Sequence, residues 1–182
     1  MKKQTPPEIL KQETVAKTRI FEIQQMDLRF SNGTTVQYER MRSNPNGAVL
    51  IVPMLDDHTV LLIREYAAGV QRYELALPKG RIEKDEDPLD AANREIMEEV
   101  GYAARTLSHL TRLSIAPGYM NHETQIVLAQ DLYEKREQGD EPEEIEVVPW
   151  SLHALSELVT HPECTEARSI AALFMARQKL LE

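Results

Sequence analysis

The chain has 182 residues, 42% of them hydrophobic and 28% charged, which suits one globular domain with at most a small appendage. Its single cysteine, Cys164, excludes an intrachain disulfide, and no apolar stretch approaches the ~20 residues that span a bilayer. A net charge of −9 sets the surface against phosphate backbones, so neither membrane insertion nor nucleic-acid binding is expected. Lys2 and Lys3 lead into Thr5-Pro6-Pro7 rather than an apolar stretch, so the expected location is cytoplasmic.

In chain order, residues 14–42 read as extended chain, with Val15, Ile20, Phe21, Ile23, Met26, Leu28 and Phe30 spread through it. Ser31-Asn32-Gly33 is a turn signal before a second extended stretch. The pattern predicts a small N-terminal antiparallel β-hairpin extension over 1–45, with 46–182 forming the main domain. Residues 48–55 have the pattern of a buried strand, 56–58 a turn, and 59–66 a returning strand. Pro88, at a first-turn position, opens a helix that reaches about Val100, and Gly101 closes it. Residues 107–115, 124–132 and 145–148 read as strands, and 151–159 and 166–181 as helices. In the last helix Ile170, Leu173, Phe174, Arg177 and Leu181 mark a mostly apolar stripe. Many strands with few helices predict an α/β (α+β) architecture, a mixed sheet covered by helices.

The chemistry concentrates in the predicted 88–100 helix. Glu95, Glu98 and Glu99 stand at i, i+3 and i+4 and share one face. Like charges so placed repel, and of the nearby cations only Arg94 has helpful spacing, to Glu98. A divalent cation would neutralise the cluster, and all-oxygen donors favour Mg²⁺ or Mn²⁺ over zinc. A solvated acidic face is the alternative for the three glutamates taken alone. The five histidines show no metal-ligand spacing.

The longer pattern decides between them. Gly80, Glu86, Arg94, Glu95, Glu98, Glu99 and Gly101 fill every fixed position of G-x5-E-x7-R-E-U-x-E-E-x-G-U, where U is a bulky apolar residue. A chance match at this chain's composition is on the order of one in a million. The last U position holds Tyr102. The sequence therefore resembles the Nudix hydrolase family. That resemblance implies a Nudix fold, a mixed sheet sandwiched between helices, and Mg²⁺-dependent hydrolysis of a diphosphate linked to some group X. It makes Glu95 and Glu99 the main metal ligands, with Glu98 a further ligand or the base and the Lys79 carbonyl an extra ligand. Arg94 would orient a glutamate, Glu86 would hold the loop of the box, and Gly80 would let the backbone turn tightly.

Three further segments resemble the family's ADP-sugar and ADP-compounds pyrophosphatase branch. Pro117 lies in Ala116-Pro117-Gly118, at the distance past the box where that branch carries a ligand-covering loop. The acidic stretch from Asp140 to Val147 is similar to the loop that supplies the branch's catalytic base; Glu141 would be that base and Glu143 a supporting or metal-binding group. Tyr38-Glu39-Arg40-Met41-Arg42 resembles a nucleotide-contacting strand, with Tyr38 stacking on adenine, Glu39 beside it, and Arg42 and Arg64 reaching phosphates. The resemblance implies ADP-ribose, NADH and short diadenosine polyphosphates as substrates, AMP as a product, and a homodimer built through the N-terminal strands. Ala76-Leu77-Pro78-Lys79-Gly80 departs from the Glu-Leu-Pro-Ala-Gly of many ADP-ribose enzymes, and Pro-Lys-Gly resembles diadenosine polyphosphate hydrolases instead. RNA-cap or 5′-end hydrolysis is a competing activity, disfavoured by the charge. A non-catalytic ADP-ribose sensor is another, disfavoured because such a module could discard the box glutamates and all four remain.

Overall fold

The computed structural model describes residues 4–43, 45–139 and 141–181. Asn44 of the boundary loop and Asp140 of the acidic loop lie outside the described residues, as do Met1 to Lys3 and Glu182. The chain divides into two compact units. The first comprises Met1–Pro45 and Ser114–His122, and the second Asn46–Leu113 and Glu123–Glu182.

In the first unit, β1 (Glu8–Lys17), β2 (Glu22–Arg29) and β3 (Thr35–Arg42) form an antiparallel sheet in that order. The N-terminal antiparallel unit is thus present, but with three strands rather than two. The extended reading from residue 14 caught only the end of β1, whose register slips between Ile9 and Lys11 and again between Thr14 and Ala16. Each slip moves following side chains to the other face, which erases the period-two signal. Gln24 is buried in β2, where its Oε1 accepts from Arg40 Nε and Nη2 at 3.3 and 3.1 Å. Ile9, Leu10, Val15, Ile20 and Phe21 remain exposed on this unit.

The second unit carries two sheets. One has the order β7-β4-β9-β8, from β4 (Ala48–Pro53), β7 (Lys79–Arg81), β8 (Tyr102–Ser114) and β9 (Glu123–Glu134). The other has β5 (Thr59–Ala67) between β6 (Arg72–Ala76) and β10 (Glu146–Ser151). β4 and β9 run parallel, and β4 pairs antiparallel with β7 so that Val49 faces Gly80. β4 and β9 read as continuous apolar runs because both of their faces are buried. Val49, Ile51, Ile63 and Val127 pack with Ala91, Ala92 and Ile96 of α1 (Pro88–Glu99). Leu50, Val52, Leu62 and Leu128 pack with Ala172, Leu173 and Ala176 of α3 (Ala167–Leu181). Complete burial of each large apolar side chain contributes about 1.5–3 kcal/mol. A 3₁₀ turn, Leu152–Ala154, and the short α2 (Leu155–Leu158) close the unit between β10 and α3.

Several elements differ from the sequence expectation. β6 has five residues and β7 three, too few for an alternation to be detected. Glu74 of β6 is buried yet satisfied, accepting from Arg72 Nε at 2.6 Å and from the Thr165 N–H at 3.1 Å. β8 begins at Tyr102 rather than near 107. The hidden face of α3 is Ser169, Ala172, Leu173 and Ala176, with Phe174 44% exposed. A serine can sit on that face because its hydroxyl is fully used. Ser169 Oγ donates to Glu166 Oε2 at 2.8 Å and accepts from the Leu77 N–H at 3.0 Å. The start of α3 thereby holds the connection from β6 that leads into Lys79 and Gly80. Among the described residues no helix is long and apolar enough to cross a membrane.

Candidate active site

α1 starts where its sequence says it should. Asp87 Oδ1 accepts from the Leu89 N–H at 2.8 Å, and Pro88 occupies the first turn. It ends where Gly101 takes φ +83° and returns its N–H to Ile96 O at 3.0 Å, a left-handed closure that favours glycine. Between these caps Glu95 and Glu99 point inward and are buried, while Glu98 is half-buried.

Arg94 ties the box together. Its Nε and Nη2 grip both oxygens of Glu86 at 2.9 and 3.1 Å, and Nη2 also donates to Arg81 O at 3.0 Å. Nη1 is shared between Glu95 Oε1 at 2.8 Å and Glu98 Oε2 at 3.2 Å. The guanidinium thus joins the box loop to the helix through a bidentate fork that lysine could not reproduce. This bond, with the Glu83 N–H at 2.8 Å, holds the Glu86 carboxyl below the usual carboxylate range.

Gly80 lies in β7 with no positive φ, so its role is space rather than a turn. A Cβ there would sit 1.9 Å from both Cδ and Oε1 of Glu95. Next to it, the Lys79 N–H donates to Glu99 Oε2 at 2.9 Å, and Lys79 Nζ is held by Glu65 at 2.8 Å. Burial pushes the Glu99 carboxyl up to about 8, opposed by Lys79 and reinforced by the charges of Glu95 and Glu65. Glu95 is raised too, by burial first, against its bond to Arg94 and with the charges of Glu98 and Glu141 adding to it. Two buried carboxylates that resist ionisation suit a hard divalent cation, which would offset the cost of charging them. Among the described residues no three acidic, histidine or cysteine side chains already converge on one metal position. Arg94 holds Glu95 and Glu98, and Glu99 faces Lys79.

The acidic loop follows β9. Glu141 is seated against Gly139, where a Cβ would lie 2.0 Å from Glu141 Oε2, and its charge is felt at Glu95. Glu143 accepts from the Tyr73 hydroxyl at 2.7 Å. A cleft of about 560 Å³ is lined by Glu98, Arg136, Gly139, Glu141, Glu143 and Glu144, among others. Arg64 bonds two carboxylates, Glu146 through Nη1 and Glu163 through Nε at 3.0 Å. In the first unit Tyr38, Glu39 and Arg42 are exposed on β3, with Arg42 paired to Glu22 at 3.2 Å. The turn holding Pro117 is bound to the end of the same strand, the Met41 N–H donating to Tyr119 O at 2.7 Å. Sequence reasoning missed Arg136 and Tyr73, whose partners are set by tertiary contacts.

Residues 44–174 match the model of the NUDIX domain, which covers more than half of the chain. The chain belongs to the Nudix family. Residues 7–40 also match the NudE-type Nudix hydrolase N-terminal domain. This Nudix hydrolase is 48% identical over 174 residues to the ADP compounds hydrolase NudE of Escherichia coli, covering 96% of this chain and 93% of that one. It is 29% identical to an ADP-ribose pyrophosphatase of Bacillus subtilis over 90% of this chain and 91% of that one. A crystal structure of an ADP compounds hydrolase superposes with a TM-score of 0.92 at 47% identity, over 100% of this chain and 97% of that chain. Nudix hydrolases generally use divalent metal ions.

Proposed function

We propose that this Nudix hydrolase cleaves the pyrophosphate linkage of ADP-linked compounds, ADP-ribose, NADH and short diadenosine polyphosphates, and releases AMP. The observation that carries the reading is the buried Glu95–Glu99 pair braced by Arg94, on a chain 48% identical to an ADP compounds hydrolase. Mg²⁺, or Mn²⁺ in its place, would be held by Glu95, Glu99 and Glu98, with the Lys79 carbonyl and Glu143 as further oxygen donors. Bound there, such a cation supplies charge neutralisation on the bridging and leaving oxygens. The chain's own groups do the rest. Water adds to one phosphorus, the bridging P–O bond breaks, and the water's proton passes to a carboxylate. Glu141 is favoured for that proton, since Glu98 is engaged by Arg94. Tyr38, Glu39, Arg42 and Pro117 are proposed to contact the nucleotide, and Arg64 a phosphate once released from its glutamates.

Initial rates on ADP-ribose, NADH, diadenosine triphosphate, a nucleoside triphosphate and capped RNA, with Mg²⁺ or with chelator, test the proposal. AMP is expected from the first three only, and none after chelation. No turnover of any ADP compound by metal-loaded protein would defeat it.

We also place the enzyme in the cytoplasm as a homodimer, with residues 1–45 as the dimerisation element. The exposed Ile9, Leu10 and Val15 of β1 and Ile20 and Phe21 of the turn after it support this, since exposed apolar side chains favour burial against a second copy. Light scattering at micromolar concentration should give twice the 20.8 kDa chain mass. A monomer there would overturn the assignment.

A further inference from the structure

The cleft beside α1 is acidic, with Glu98, Glu137, Glu141, Glu143 and Glu144 along it. A diphosphate cannot settle among carboxylates without cations to meet its oxygens. Among the described residues lining that cleft, Arg136 is the one cation.

The backbone fixes where Arg136 stands. Just past β9, the Lys135 N–H donates to Gly101 O and the Glu137 N–H to Met97 O, each at 3.1 Å. These two bonds strap the segment to the C-terminal end of α1, with Arg136 between them. Its guanidinium lies over Gly101, where an added Cβ would meet Nη2 at 2.9 Å, Nε at 3.0 Å and Cζ at 3.1 Å. The box glycine therefore serves twice, as a left-handed helix end and as floor for this arginine.

The other arginines close to the site are engaged. Arg94 binds three glutamates and Arg64 two. Arg136 is exposed and enters no ion pair among the described residues, although acidic side chains share its cleft. A guanidinium on a strapped backbone, with its donors free of ion pairs, matches the bidentate geometry of phosphoryl oxygens.

We propose that Arg136 is a substrate-binding residue that takes non-bridging phosphate oxygens of the diphosphate at the Glu98 end of the cleft. The proposal rests on the functional reading above for the identity of the anion. A cation at a helix C-terminus can also act as a simple cap. The two roles part in their readouts.

Arg136→Gln and Arg136→Lys are compared with the wild type on ADP-ribose, alongside thermal midpoints. Arg136→Gln should raise KM about tenfold or more while kcat stays within about threefold, the pattern of lost uniform binding. Arg136→Lys should recover part of the loss, and the midpoint should hardly move. Unchanged KM with a lowered midpoint would reduce Arg136 to a cap and overturn the proposal. Calorimetric binding of ADP-ribose to chelated protein scores the residue without turnover: tenfold weaker binding by Arg136→Gln supports it, and equal binding overturns it. Failure of the wild type itself to hydrolyse ADP-ribose would instead count against the functional reading.

Discussion

Replacing Glu99 with glutamine is expected to abolish turnover and, in chelator at pH 8, to make the protein more stable than the wild type. Both effects come from one buried carboxylate. Turnover should fall about a thousandfold or more, because a lost ligand forfeits several kcal/mol of transition-state stabilisation. The stability gain follows from linkage. The folded state holds a proton on Glu99 up to about pH 8, whereas the unfolded chain releases it in the ordinary glutamate range near about 4.3. Between those values the folded state binds more protons, so metal-free wild-type stability declines as pH rises and levels off above about 8. Glutamine has no charge to bury, and its carbonyl can still accept from the Lys79 N–H. The expected difference is on the order of a few kcal/mol at pH 8 and about 1 kcal/mol at pH 5. Thermal melts at both pH values in chelator check this, and Mg²⁺ should raise the wild-type midpoint at pH 8 but not the variant's. Turnover within tenfold of wild type, or a variant no more stable at pH 8, would show that Glu99 is not a costly buried ligand.

Gly80→Ala should also damage the site in a near-normal fold, but with a small loss of stability in place of a gain. The added Cβ would overlap the Glu95 carboxylate, and the part that must yield is the end of a flexible side chain. β7 can keep its pairing with β4, so the cost to stability should be about 1 kcal/mol, in the range of ordinary substitutions. Glu95, however, must leave its position and its 2.8 Å bond to Arg94. Loss of such a support typically costs 10–100-fold, and since the displaced group is itself a proposed ligand, a fall in kcat of about a hundredfold is expected. Steady-state rates with a thermal melt decide it. Wild-type activity would mean that the carboxylate's position against Gly80 has no part in catalysis.

The helix of the box was legible in the sequence because its signals are local. Pro88 in the first turn and Gly101 past the last are local signals, and 3.6-residue periodicity puts three glutamates on one face. The continuous apolar runs of β4 and β9 were legible as buried strands for a similar reason. What escaped depends on distant partners. Arg64 looked available for a phosphate until β10 and the α2–α3 connection brought Glu146 and Glu163 to it, from 82 and 99 positions away. Glu143 gave no hint of Tyr73, nor Gly101 of Arg136. β7 owes its existence to the strand beside it. Gly80 was identified by position but its reason was not, because the space a glycine leaves is visible only once its neighbour is in place.

The bond from the Leu77 N–H to Ser169 Oγ gives the last helix a bearing on chemistry that its location would not suggest. Among the described residues none of α3 lines the cleft, yet its first turn holds the Leu77 amide, two residues ahead of the Lys79 that donates to Glu99. A premature stop or a proteolytic cut ahead of that helix would strip one flank of the core and leave the Leu77 amide without its acceptor. Such damage would register in an assay as an active-site lesion, although every glutamate of the box would still be present.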